Sequence, residues 1–92
     1  MDKIIYYIDC RDADNKPFIK TNGYKVGAIK IEREFINSHI VEKDCQDYCT
    51  DFQALTGSDN VNIDVRYFDD NSKTYPLLYS YYDREKRFVK HD

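Results

Sequence analysis

The sequence predicts an α+β fold: a single, mostly antiparallel sheet of five or six strands with one amphipathic helix packed on one face. Three observations carry that expectation. Apolar residues alternate with a period of two over much of the chain. The period changes to that of a helix once, in the middle, and the Asn22-Gly23 dipeptide marks a tight hairpin. One helix has one apolar stripe to bury, so it covers one face of one sheet. At 92 residues the chain is expected to form a single domain over 1–92 with one modest core.

Lys3 to Asp9 is β-branched and aromatic, with Ile4, Tyr6 and Ile8 on one side and Ile5 and Tyr7 on the other. Apolar residues on both faces place this strand inside the sheet. The polar run from Cys10 to Pro17 ends it as a loop. Phe18 to Thr21 and Tyr24 to Ile31 flank Asn22-Gly23, whose residues tolerate the positive φ of a type I′ turn. In that hairpin Ile19 faces Val26 and Lys20 faces Lys25.

From Val41 the spacing Val41, Cys45, Tyr48, Cys49, Phe52, Leu55 follows one face of a helix, expected over about 40–56. Asn37 and Ser38 are both candidate N-caps, and Gly57 is the residue that leaves the helix in the left-handed conformation. Val61, Ile63, Val65 and Tyr67 alternate with Asn62, Asp64, Arg66 and Phe68, the pattern of a half-buried strand. Asp69 to Ser72 turns the chain into a strand over Lys73 to Tyr82, where Pro76 requires an edge or a bulge. Asp83 to Lys86 turns it again into Arg87 to Lys90, completing an antiparallel meander.

Composition excludes several classes. Nine Tyr and five Phe are too many for a disordered tail, and no apolar run approaches the ~18 residues of a membrane helix. The apolar stretch after Met1 meets Asp9 too soon to act as a signal peptide, so no membrane partner is expected. Three cysteines, Cys10, Cys45 and Cys49, are an odd number at low density, and the last two lie one helical turn apart. They read as reduced, buried thiols of a cytoplasmic protein, in the host cell if the source is viral.

Charge is unevenly spread around a net of −3. Residues 34–72 hold nine acids and two bases, while the segments before and after them each carry a net +2. An acidic middle disfavours one continuous basic stripe for nucleic acid and suits a basic protein partner.

Five constellations bear on chemistry. Asp9, Asp12 and Asp14 end the first strand, where carboxylates could hold Mg²⁺ for a small nuclease. An ordinary polar turn explains them better, since Lys16 and Pro17 occupy positions where a calcium loop needs an oxygen ligand and a glycine. Cys45 and Cys49 with Cys10, His39 or His91 lack the tight paired spacing of zinc sites, and packing accounts for them. Cys10 or a serine with His39 or His91 has no nucleophile or oxyanion motif around it. The expectation is a non-enzyme with no cofactor.

The fourth constellation is an acidic row: Asp44, Asp47 and Asp51, at i, i+3 and i+7, line one side of the helix beside its apolar face. Such a row mimics phosphates to a basic groove, or is simply the solvated side of the helix. The fifth is aromatic. Tyr75, Tyr79 and Tyr81 share one strand parity, with Leu78 and Tyr82 on the other, so one set is expected on the sheet face the helix leaves open.

The chain is rich in Ile, Lys, Asn, Tyr, Asp and Phe, with one Met and no Trp, the composition of an AT-rich coding source. A small, acidic-centred, Tyr-rich and motif-free protein is similar in kind to phage or mobile-element inhibitors of host defence enzymes, anti-CRISPR proteins among them. The expectation is a non-enzymatic binder that occludes a basic, nucleic-acid-processing partner through Asp44, Asp47, Asp51, Tyr79, Tyr81 and Tyr82. The alternative is a single-stranded nucleic-acid-binding module built on Lys73, Arg84, Lys86, Arg87, Lys90 and the tyrosines. Homodimerisation through the open sheet face is compatible with each.

Overall fold

Alternating β-branched and aromatic residues at the start of the chain form β1 (Ile4–Arg11), two residues longer than the apolar run because Cys10 and Arg11 continue the pairing. The computed structural model describes residues 4–18 and 27–91. The remaining elements are β2 (Ile29–Arg33), α1 (Ser38–Thr56), β3 (Asn62–Tyr67), β4 (Leu77–Tyr82) and β5 (Arg87–Lys90). The strands form one antiparallel sheet in the order β2-β1-β3-β4-β5. This is the α+β arrangement that one helix and a run of short strands require. The Asn22-Gly23 hairpin lies outside the described residues. Of its expected strands, Phe18 is in a loop, where its N–H donates to the Cys10 carbonyl at 3.3 Å, and the second is β2, which begins at Ile29.

Register decides which side chains face the helix. Tyr6 pairs with Ile31 on one side and Tyr67 on the other, Ile8 with Val65, Cys10 with Ile63, and Ile63 with Tyr81. All of these except Tyr67, which is exposed, meet Val41, Cys45, Cys49 and Phe52 of α1 to make the core, with Val61 and Tyr79. At the β3–β4 pairing the register shifts between Val65 and Arg66. Pro76 immediately precedes β4 there. Its lack of an N–H is accommodated at the irregularity, and β4 is an interior strand rather than an edge.

Helix α1 starts at an Asn37 N-cap in extended conformation, whose side-chain oxygen accepts from Ile40 N at 2.9 Å. It ends at Gly57 with φ 73°, whose N–H donates to the Gln53 carbonyl at 2.9 Å. Both ends therefore satisfy backbone groups that a helix otherwise leaves open. Replacing Asn37 with Ala is expected to lower stability by about 1 kcal/mol in urea titration, whereas Ser at the same position keeps most of it. Two non-glycine residues sit in the left-handed region at turns of the meander, Lys73 (φ 58°) and Lys86 (φ 52°). Each carries a Lys–Asp bridge across its turn, Lys73 Nζ to Asp70 and Lys86 Nζ to Asp83, both at 2.7 Å. Gln53 of α1 donates to the other oxygen of Asp83 at 2.8 Å, tying the helix to the β4–β5 turn.

Candidate functional site

Burial separates the six residues of the expected partner surface. Asp44 is 5% exposed, because it borders Val41 and Cys45 at the edge of the buried stripe instead of facing solvent. It accepts from the Tyr6 hydroxyl and from two nitrogens of Arg33, Nε at 3.3 Å among them. The carboxylate is thus a buried tie between helix and sheet. Burial, followed by the hydrogen bond to Asp44, holds the Tyr6 hydroxyl well above the ordinary tyrosine range. Tyr79 and Tyr81 are 8% and 1% exposed and lie under the helix, so the parity they share is that of the covered face. Tyr79 stacks on Phe88 with ring centroids 4.7 Å apart, and Tyr81 donates to Asp83 at 3.4 Å. Tyr79 and Tyr81 belong to the core, and Asp44, though buried, reaches the surface only as part of the lining of a depression beside Lys43 and Asp47.

The other three remain accessible. Asp47 is exposed and pairs with Lys43 at 3.2 Å, one turn back along the helix. Asp51 is exposed and has no ion-pair partner among the described residues. Tyr82 is half-buried, with the Arg87 guanidinium 4.6 Å from its ring centroid.

Asp9, Asp12 and Asp14 do not converge. Both Asp14 N and Lys16 N donate to Asp12 Oδ1 at 2.9 Å, so that carboxylate organises its own turn. Asp9 points instead onto the sheet. No group of three metal-ligating side chains forms among the described residues. The three cysteines are free and buried. Burial pushes the Cys10 thiol up to about 11 and the Cys45 and Cys49 thiols up to about 12, with Asp44 adding to the effect at Cys45 and Asp83 at Cys49. Thiols so far from ionisation are poor nucleophiles and poor metal ligands.

Two accessible features take the place of the tyrosine surface. The first is an apolar depression of about 390 Å³ at the end of the sheet, lined by Ile4, Ile5, Ile36, Tyr67, Phe68 and Leu78 among others. Of its lining, Ile4 is 37% exposed, Tyr67 38% and Phe68 40%, while Tyr75 (50%) and Phe35 (64%) are exposed beyond it. Phe68 and Tyr75 touch, with ring centroids 5.1 Å apart. Phe35, next to Ile36, also lines a second depression of about 540 Å³ with Glu32, Glu34, Lys43 and Asp47. Apolar and acidic surfaces therefore adjoin at the β2–α1 connection.

The second feature lies on the face the helix leaves open. Asp9 and Arg11 of β1 stand beside Asp64 and Arg66 of β3, since Asp9 pairs with Asp64 in the register. Asp64 is 1% exposed although no helix covers it. Arg11 Nε lies 3.1 Å from its Oδ2, without the alignment of a hydrogen bond, and Arg66 Nη2 lies 3.5 Å away. On the other oxygen, Ser80 donates at 3.3 Å, and Ser80 is itself 2.8 Å from His91 Nε2. With its one proton directed at Asp64, Ser80 accepts from His91, and the chain His91–Ser80–Asp64 runs one way. Asp64 bonds the serine and not the imidazole, and Ser80 is 2% exposed, so this is no hydrolytic triad.

Comparison of the chain with protein-family models, with curated proteins and with solved structures finds no match in any of the three. No helix of the described residues is long and apolar enough to cross a membrane.

Proposed function

We propose that this chain is a non-enzymatic protein-binding module that docks a basic protein through the aromatic and apolar patch at the sheet end and the carboxylates beside it. The observation that carries the reading is the exposure of Tyr67 and Phe68 in the lining of one apolar depression, with exposed Tyr75 against Phe68 and exposed Phe35 next in sequence to the lining residue Ile36. Scattered exposed apolar residues are ordinary, whereas a contiguous aromatic patch rimmed by charge marks an interaction surface. The charge of the partner follows from exposed Glu34 and Asp47 in the adjoining depression and exposed Asp51 one turn further along the helix, in a segment that holds nine acids and two bases. A positively charged nucleic-acid-processing groove, occluded by these groups, is the partner chemistry that fits, and inhibition of a host defence enzyme is the finer form of the proposal.

The test compares proteins captured from nuclease-treated lysate by the wild type, by Phe35→Ala with Phe68→Ala, and by Asp47→Lys with Asp51→Lys. A basic protein retained by the wild type should bind the phenylalanine variant at least tenfold more weakly. The charge variant should associate more slowly, with a flattened salt dependence. Because all four side chains are exposed, neither variant should unfold. An identical captured set for all three proteins overturns the reading. Recovery of RNA or DNA alone, when nuclease is omitted, favours a nucleic-acid module instead.

A further inference from the structure

Beside the Asp64 network, on the open face, is a cavity of about 310 Å³ lined by Tyr7, Asp9, Ala28, Arg66 and Tyr75. Its walls are two aromatic rings in an edge-to-face pair, Tyr7 and Tyr75, with centroids 5.4 Å apart. Its polar groups differ in how fully they are engaged. Every nitrogen of Arg66 already faces an oxygen: Nη1 donates to the Tyr75 carbonyl at 3.1 Å, Nη2 lies 3.5 Å from Asp64, and Nε lies 3.6 Å from Asp9.

Asp9 is in the opposite condition. Its contacts with Arg66 and Arg11 both reach Oδ2, at 3.6 and 3.8 Å, and it accepts no hydrogen bond within 3.5 Å from the described residues. Its side chain is 24% exposed, so it is open to the cavity yet largely withdrawn from water. Desolvation accordingly raises its carboxyl above the usual range, despite both arginines. A carboxylate in that state gains more from a new donor than a fully hydrated one does.

The cavity therefore offers aromatic walls, the hydroxyls of Tyr7 and Tyr75, and one carboxylate that accepts no hydrogen bond from the described residues. A nucleotide would bring its phosphate to that carboxylate on a chain of net charge −3. A guanidinium brings only donors, is planar, is weakly hydrated and stacks on tyrosine. We infer that the Tyr7–Asp9–Tyr75 cavity is an anchor site for an arginine side chain of the partner, the guanidinium donating to Asp9 and stacking on Tyr75. This rests on the reading of a basic protein partner and names the residue that partner presents. Tyr75 links the two surfaces, since it touches Tyr7 in the cavity and Phe68 in the apolar patch. Arg11 and Arg66 do not bar the guest, because Asp9 and Asp64 balance their charge and planar guanidinium groups tolerate stacking.

The probe is a blocked Gly-Arg-Gly peptide titrated into the labelled full chain and followed by NMR, beside the Gly-Lys-Gly peptide and guanosine monophosphate. The arginine peptide should bind in the millimolar range, shift resonances of Tyr7, Asp9 and Tyr75, and bind several-fold more tightly than the lysine peptide. Asp9→Asn should weaken it roughly tenfold and Tyr75→Ala about two- to fivefold, both with native spectra elsewhere. Shifts confined to other surfaces, unchanged affinity in Asp9→Asn, or tighter binding of guanosine monophosphate overturns the inference. If the peptide fails while the phenylalanine variant still loses the basic partner, the anchor falls and the docking surface stands. If the peptide binds at Asp9 while that variant loses nothing, the anchor stands and the apolar patch falls.

Discussion

Replacing Asp64 with Ala should lower the stability of this domain by about 3–5 kcal/mol, more than any other single polar substitution on the open face. The reason is what the carboxylate holds. Two arginines converge on one oxygen and Ser80 on the other, and all of this lies at a side chain with 2% exposure. Removing it leaves two partly buried cations facing each other, with Asp9 as their remaining anion at 3.6 and 3.8 Å. Small domains are stable by only about 5–15 kcal/mol, so the variant should be partly unfolded at body temperature. Urea unfolding followed by circular dichroism measures the loss. A cost below 1 kcal/mol would mean that the network is solvated in solution. The triple change Arg11→Met, Asp64→Leu, Arg66→Met should recover most of the stability, because the expense lies in unpaired charge rather than in the missing carboxylate.

Alkali should unfold the protein from about pH 9 upward. Cys45 and Cys49 are held near 12 and Cys10 near 11, against an ordinary thiol value of 9.0, and Tyr6 is raised above its ordinary 10.0. All four are acids whose pKa is higher folded than unfolded. Their contribution is therefore complete below pH 9 and is withdrawn as the pH climbs, since the unfolded chain releases protons that the core retains. Together the withdrawal is on the order of several kcal/mol by pH 12. The urea midpoint should fall steadily between pH 9 and 12, and a Cys45→Ala, Cys49→Ala variant should show a shallower slope. A midpoint constant to pH 11 would show that these thiols ionise in the folded state without penalty.

Much of the fold is legible in the chain because local chemistry and tertiary structure agree. Of the stripe, Val41, Cys45, Cys49 and Phe52 are buried and Tyr48 partly so, whereas Leu55 in the last turn is 51% exposed; Asn37 and Gly57 cap the helix. The meander follows from turn residues at 69–72 and 83–86. What periodicity does not carry is which face of β4 the helix covers. Tyr79 and Tyr81 face α1 because the β3–β4 register pairs them with Val65 and Ile63, a non-local fact. Asp44 is likewise assigned to solvent by helical spacing alone, and only the approach of Tyr6 and Arg33 draws it inward.

The accessible surfaces are less legible in the chain for a related reason. Phe35 sits between Glu34 and Asn37 in a connection with no period, and Phe68 and Tyr75 flank a turn, so no alternation flags their exposure. The Asp9–Arg11 and Asp64–Arg66 pairs do carry a signal, acid and base two apart on each of two strands. It becomes readable only once β1 is known to lie beside β3.

That neighbourhood has a consequence for how the chain folds. Of the five strands, β1 precedes the others in the chain yet is an interior one, and its partners in β3, from Arg11 with Asn62 to Tyr6 with Tyr67, lie roughly fifty to sixty residues downstream. The β3–β4–β5 meander closes through short turns, whereas β1 joins it only after a long loop has closed, so this pairing dominates the entropy of the transition state. On the ribosome, β1 must wait until most of the chain has emerged before it finds its inner neighbour. The Ile4–Ile8 segment is the most apolar strand of the sheet and the longest exposed during synthesis, which makes it the part of the nascent chain that a chaperone would hold.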